Sequence, residues 1–401
     1  MKSEQYSEEL SKCVRCGTCK SLCPTYLLTL NETMGARGRV AMLGELGADK
    51  LRPTKKLADL IYSCMLCGAC KGLCPAGIDI PEIIYRGRSE LMRSYKRGKI
   101  ARGALKRSLA RMDVLLPFIS SFQKMKFFGS ASYGNIPPMT SRPFKNGTQV
   151  YKPLNKIGRI AIFAGCSVNY FYPSLGRSLV NIANRKGFEV VVFKNEVCCG
   201  APLRSLGLDD EVTEFAKKNV EHFNKVRAEA IVSLCPTCTM VIRDQYPDIA
   251  GDTIHNIMDV NEFILKYELS EGATLAEQVV TYHDPCHLSF GLGIRKAPRD
   301  ILNGIKGLEY IEMRNADECC GFAGLFSMHF KDMSEAISKK KIENIRDTSA
   351  DTVVTSCPGC IMQLEGMMKG SNSTVKIMHI VEVIEEAMQK QPVRSQVSGN
   401  K

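Results

Sequence analysis

Eighteen cysteines, and above all their spacing, constrain this 401-residue chain more than any other feature. Cys13, Cys16, Cys19 and Cys23 stand at gaps of two, two and three residues, and Cys64, Cys67, Cys70 and Cys74 repeat that spacing. The other ten are Cys166, Cys198, Cys199, Cys235, Cys238, Cys286, Cys319, Cys320, Cys357 and Cys360. The N-terminal stretch MKSEQYSEEL has no apolar core and no small-residue cleavage site, so no secretory signal is expected. No apolar run approaches the roughly 18 residues of a membrane span. Cytosolic thiols stay reduced, so this many cysteines imply bound metal rather than disulfides. The expected location is the cytoplasm, with at most peripheral association with the inner face of a membrane.

Each of the first two groups, closed by Pro24 or Pro75, is a complete bacterial ferredoxin run. Two-residue gaps let three thiolates from one tight loop grip one cuboid cluster, while the fourth cysteine ligates the neighbouring cluster. The expected sets are therefore Cys13, Cys16, Cys19 and Cys74 for one [4Fe–4S] cubane, and Cys64, Cys67, Cys70 and Cys23 for a second. Zinc knots space their ligands as two separated pairs, which argues against zinc here. Two cubanes side by side conduct electrons and offer no open coordination position.

Composition divides the chain into regimes. Residues 1–85 are dense in cysteine and are expected to form a mainly helical two-cluster ferredoxin-like domain. Residues 86–156 lack cysteine and are expected to hold a basic helical segment and a linker rich in Gly, Pro, Ser and Asn. Residues 157–275 and 276–390 are two copies of one module, and 391–401 form a flexible tail. Cys166, Cys199, Cys235 and Cys238 recur as Cys286, Cys320, Cys357 and Cys360 at offsets of 120, 121, 122 and 122 residues. Within each copy, short β-branched runs ending near cysteine (RIAIFAGC, FEVVVF, AIVSLCPTC and their counterparts) alternate with segments of helical apolar spacing. The expectation is an α/β module with a mainly parallel sheet, and α+β for the whole chain. Ligands of such sheets sit beyond the carboxyl ends of the strands, where each cysteine group lies.

Five thiols per module exceed what tetrahedral zinc or an ordinary cubane takes. The pattern of one Cys, then Cys-Cys-Gly about thirty residues on, then Cys-x2-Cys resembles the cysteine-rich CCG domain. That domain occurs in heterodisulfide reductase catalytic subunits and in the iron–sulfur subunits of glycolate oxidase, lactate-utilisation and anaerobic glycerol-3-phosphate dehydrogenase systems. GCSVNYFYPSLGRSLV from Gly165 and CTMVIRDQYPD from Cys238 resemble the glycerol-3-phosphate and lactate branch, and ARGRVAML from Ala36 resembles the glycolate oxidase subunit. Both final Cys-x2-Cys pairs are intact, which is the heterodisulfide reductase condition. The resemblance implies that Cys166, Cys198, Cys199, Cys235 and Cys238, and likewise Cys286, Cys319, Cys320, Cys357 and Cys360, hold one or two further, noncubane [4Fe–4S] clusters.

The resemblance further implies an electron-transfer subunit of a multi-subunit flavin-dependent oxidoreductase of the glycolate, lactate or glycerol-3-phosphate type. The alternative is a catalytic subunit that reduces a disulfide at noncubane clusters, and a third reading makes the modules zinc-stabilised docking domains. No Gly-x-Gly-x-x-Gly joins a strand to a helix, so flavin is expected on a flavoprotein partner and not in this chain. A further carrier, a quinone or a membrane-bound cytochrome subunit is the expected acceptor. The net charge is +12, and Arg86 to Arg159 carry 17 Lys or Arg against two acids, but no recognition fold accompanies that charge, so nucleic acid is not an expected partner. An amphipathic segment, RMDVLLPFISSFQKMKFF from Arg111, is expected to pack on the modules. His283 and His287 bracket Cys286 and are expected to hydrogen-bond locally, with tuning of a metal centre as the sharper reading.

Overall fold

A computed structural model describes residues 3–94, 137–146, 149–251, 254, 256–369 and 374–389. The amphipathic segment from Arg111 and the tail 391–401 lie outside the described residues.

The N-terminal part is built of helices, among them Ser3–Ser11, Pro24–Thr29, Ala36–Gly47, Lys55–Tyr62 and Ile80–Ser94. Leu43, Ile61, Ile83 and Ile84 are wholly buried between them. Helices Ala36–Gly47 and Ile80–Ser94 cross closely at Gly87, where an added Cβ would fall 2.4 Å from Leu43. Pro24 opens its helix at the first position, where a missing N–H costs nothing. Pro236 and Pro358 do the same directly after Cys235 and Cys357.

The first module is a five-stranded sheet of β1 (Val150–Tyr151), β2 (Gly158–Phe163), β3 (Phe188–Val192), β4 (Ala230–Ser233) and β5 (Ile257–Asp259), in the order β1-β3-β2-β4-β5. All pairs are parallel except β1 with β3. The second is a parallel sheet of β6 (Thr274–Tyr282), β7 (Lys306–Ile311), β8 (Thr352–Thr355) and β9 (Lys376–His379), ordered β7-β6-β8-β9. Strand for strand, the second sheet repeats the order β3-β2-β4-β5, so the duplication read in the cysteines is a duplication of topology. The β-branched runs form β2, β3, β4, β6, β7 and β8, and β2, β3, β4 and β8 are buried along almost their whole length, as strands covered on both faces are. Strands β1, β5 and β9 carried no such signal.

Two boundaries differ from the expectation. Helix Ile80–Ser94 runs through the limit placed at residue 85, since its apolar face continues into the core. The linker's end is not free chain: β1 pairs with β3, and Phe144 is buried against helix Pro173–Arg185, where Gly176 makes room for its ring.

The modules join through exchanged helices. Helix Pro173–Arg185 of the first packs on Ile380–Gln389 of the second, with Ser178 and Asn181 bonded to Glu385. Helix Val260–Lys266 of the first packs on Lys296–Asn303 of the second. One apolar core, including Leu179, Phe263, Val280 and Ile384, therefore spans both modules. The N-terminal part docks on the first module through buried Arg88, which donates to the carbonyls of Ile61, Tyr62, Cys64 and Ser205. Arg204 reciprocates, pairing with Glu82 and lying 4.2 Å from the Tyr85 ring centroid.

Candidate metal centres and a path of thiols

All eighteen thiols are free of disulfides. The two N-terminal runs curl alike: Arg15 and Gly17 have φ of 56° and 89°, and their counterparts Leu66 and Gly68 have 56° and 82°. Left-handed residues within such a loop turn backbone N–H groups toward its concave side, a shape that suits an anion. Leu66 donates its N–H to Cys64 Sγ at 3.5 Å. Cys13, Cys16, Cys19 and Cys74 line one cavity, and Cys64, Cys67, Cys70 and Cys23 line the other. The Thr18 hydroxyl lowers the Cys16 thiol, whereas burial pushes Cys19 up to about 11.

The arginines of ARGRVAML serve different cavities. Positions two apart on a helix point some 200° apart. Arg37 lines the first cavity and donates to Arg15 O at 3.0 Å while paired with Glu32. Arg39 lines the second and is wholly buried, donating to Leu60 O, Thr25 Oγ1 and Ser63 Oγ. The sequence carried this motif as a likeness only; two arginines between the cysteine runs were the available signal. Four convergent thiols ringed by N–H groups and a guanidinium fit an anionic four-thiolate cluster at each cavity.

In the modules every cysteine group lies past a strand's carboxyl end, as the parallel sheet requires. The contacts between sulfurs form one unbroken sequence. Cys166 meets Cys198, Cys198 meets Cys199, Cys199 meets Cys238 and Cys238 meets Cys235. Cys235 meets Cys357, which meets Cys360; Cys360 lies 3.4 Å from Cys320, and Cys319 joins Cys320 to Cys286. The sequence is palindromic, with the equivalent residues Cys235 and Cys357 facing each other at its centre. Hydrogen bonds from the neighbouring thiols hold Cys199 down at about 6 and Cys357 at about 5, toward the thiolate that binds metal.

The two halves of the molecule meet at Cys286. A cavity of about 200 Å³ is lined by Cys67, Cys286 and Cys319 together with Leu22, Leu27 and Phe290. Burial raises the Cys67 thiol, and Cys286 raises it further. His287 ties three units together: its Nε2 donates to Leu66 O at 3.1 Å, and its Nδ1 accepts from the Thr237 hydroxyl at 2.7 Å. Burial lowers its pKa, which keeps the ring neutral with one donor and one acceptor. The bonds of His287 are thus long-range, against the expectation of local ones. His283 is wholly buried with no oxygen or nitrogen partner, and its ring faces the Cys320 thiol, which it helps to hold down. Lys341, which nothing in the cysteine pattern singles out, is fully buried and donates to Asn315 O and Ala316 O just before Cys319. Among the described residues no helix is long and apolar enough to cross a membrane.

Thiol-lined cavities on a helical domain, joined to tandem parallel-sheet modules with their own thiols, define an iron–sulfur protein that transfers electrons. Residues 9–78 match the 4Fe-4S dicluster domain family, and residues 160–243 and 280–365 match the cysteine-rich domain family. The chain belongs to the superfamily of iron–sulfur oxidoreductase proteins built from these CCG domains. Three relatives are spanned almost end to end. The probable glycolate oxidase iron-sulfur subunit of Bacillus subtilis is 25% identical, with 94% of both chains covered. One subunit of the dihydromethanophenazine:CoB–CoM heterodisulfide reductase of Methanosarcina barkeri is 26% identical over 95% of this chain and 94% of its own. Lactate utilization protein A of a Geobacillus species is 30% identical over 56% of this chain and 98% of its own. A hypothetical protein from Helicobacter pylori shares the fold, with a TM-score of 0.58 at 12% identity over 98% of this chain and 74% of that one.

Proposed function

We propose that the chain is the iron–sulfur subunit of a flavin-dependent dehydrogenase complex acting on a small 2-hydroxy acid of the glycolate or lactate class. Electrons from a flavoprotein partner enter the N-terminal domain and leave to a quinone, a membrane-bound cytochrome or another carrier. Cys13, Cys16, Cys19 and Cys74 hold one [4Fe–4S] cubane, and Cys64, Cys67, Cys70 and Cys23 hold the second. The ten module thiols hold one or two further, noncubane clusters. The clusters supply reversible one-electron chemistry; the chain fixes their spacing, buries them and supplies hydrogen bonds that set their potentials. The observation that carries this reading is continuity: two thiol-lined cavities, Cys67 beside Cys286, then ten sulfurs in sequence. The glycolate oxidase and lactate-utilisation relatives support the substrate class.

Anaerobic iron and sulfide analysis tests the metal content: about 16 irons per chain are expected, and about 8 would confine iron to the N-terminal cavities. The purified chain is expected to oxidise no 2-hydroxy acid until a flavoprotein is added; robust activity alone would sink the assignment.

A second reading, disulfide reduction at the modules, is favoured by the intact five-thiol sets and by the cavity leading to Cys286 and Cys319. Disulfide-dependent oxidation of a reduced dye by the isolated chain would move it to first place.

A further inference from the structure

The two thiol sets are equivalent by topology, but the side chains facing them are not. Phe163, three residues before Cys166, corresponds to His283, three residues before Cys286. Both are wholly buried at equivalent strand ends, Phe163 as the last residue of β2 and His283 directly after the last residue of β6. The Phe163 ring is satisfied there: it packs edge-on to Phe223 with centroids 5.7 Å apart. It also borders the thiols, since a Cβ on Gly165 would lie 3.3 Å from its ring and 3.2 Å from Cys238 Sγ.

His283 in the same place is not satisfied. Neither Nδ1 nor Nε2 has an oxygen or nitrogen partner, although the residue is 0% exposed; what the ring faces is the Cys320 thiol. A buried polar group without a full partner is costly, so an imidazole placed here calls for something to bind. One ring nitrogen lies with Cys320 Sγ and Cys360 Sγ in a group whose ligand atoms are all within 4.8 Å of one another. An imidazole nitrogen beside two cysteine sulfurs is a donor set that iron and zinc both accept.

We propose that His283 is a metal ligand of the second module, so that its centre is held by nitrogen as well as sulfur while that of the first module is held by sulfur alone. The inference rests on the metallation proposed above and extends it to a residue outside the cysteine pattern. Histidine ligation adds a donor without adding negative charge, which favours a higher potential than ligation by thiolates alone. Lys341, buried behind Cys319 and Cys320, acts in the same direction. The second module, which also adjoins Cys67, therefore holds the more readily reduced of the two module centres.

The test uses the full chain, reconstituted anaerobically with iron and sulfide and labelled with nitrogen-15 histidine. Pulsed EPR of the second-module signal is expected to show a directly bound nitrogen, lost in His283→Cys and His283→Phe. His283→Cys supplies a replacement donor and is expected to keep the metal with a lower midpoint potential. If the module takes zinc instead, absorption at the zinc edge is expected to show a nitrogen among the scatterers. A metal-loaded second module with no bound nitrogen, and a signal and potential unchanged in His283→Phe, would overturn the inference while leaving the metallation standing. A folded chain whose second module takes neither metal overturns both, and metal analysis of the unsubstituted chain tells the two failures apart.

Discussion

The first and second cysteine-rich modules share the order of four parallel strands and the same pattern of five thiols, and they differ in what surrounds those thiols. Asn219, bonded to the Val197 and Cys198 carbonyls, corresponds through the 122-residue offset to Lys341, bonded to those of Asn315 and Ala316. Phe163 corresponds to His283, and the helix-capping Asp259 to His379. The frame is constrained because each sheet must bury both faces and deliver its thiols beyond the strand ends. The side chains beside the thiols are not so constrained, and duplication has left Phe163 and Asn219 at one site and His283 and Lys341 at the other. Position differs too: Cys286 shares a cavity with Cys67, whereas Cys166 lies at the far end of the thiol sequence.

The strongest way to break the comparison is to cut each module at its first cysteine. Cys286→Ser is expected to slow electron transfer out of the N-terminal clusters by at least about 100-fold, and Cys166→Ser to leave that first transfer close to normal. Stopped-flow reoxidation of the N-terminal clusters reads this, and equal slowing in both variants would refute an order running through the second module.

Opposite pH responses are expected at the two capping positions. Burial pushes Asp259 up to about 7 from 3.8, so the folded chain holds the extra proton. Stability then falls as pH rises through that window, by about 4 kcal/mol. Burial pushes His379 down to about 4 from 6.5, so there the unfolded chain holds the extra proton. Stability then falls as pH drops through that window, by about 3 kcal/mol. Denaturant titrations across pH 4–7 should show Asp259→Asn abolishing the first slope and His379→Gln the second; unchanged slopes would contradict the assignment.

Arg88→Met should cost about 2–3 kcal/mol, because it orphans carbonyls of both the N-terminal domain and the first module. Hydrogen exchange should locate the loss in helix Ile80–Ser94 and around Ser205, with the second module unaffected. The smallest effect is expected from Lys341→Met, about 1 kcal/mol, because the Asn315 and Ala316 carbonyls that lose the ammonium still accept from the N–H groups of Glu318 and Asp284. That substitution should also lower the potential of the second-module centre, which separates an electrostatic role from a merely structural one.

Much of this molecule is written along the chain. The spacing of Cys13 to Cys23 and Cys64 to Cys74 carries the curl of both loops, since two-residue gaps with Gly17 and Gly68 leave few other backbone shapes. The 120- to 122-residue offsets declare the duplication, and the β-branched runs declare most of the strands, because period and branching are local properties. What the chain could not declare depends on distant partners. Only folding brings Cys235 against Cys357, Cys67 beside Cys286, and Leu66 to the ring of His287, which lies 221 positions further on. His283 and Lys341 look ordinary in sequence; only folding buries the one against the cysteine sulfurs and the other against the carbonyls that precede Cys319. The sequence thus determined which atoms could hold metal, through local spacing, and the tertiary structure decided which of them meet and in what electrostatic surroundings, through packing of segments far apart in the chain.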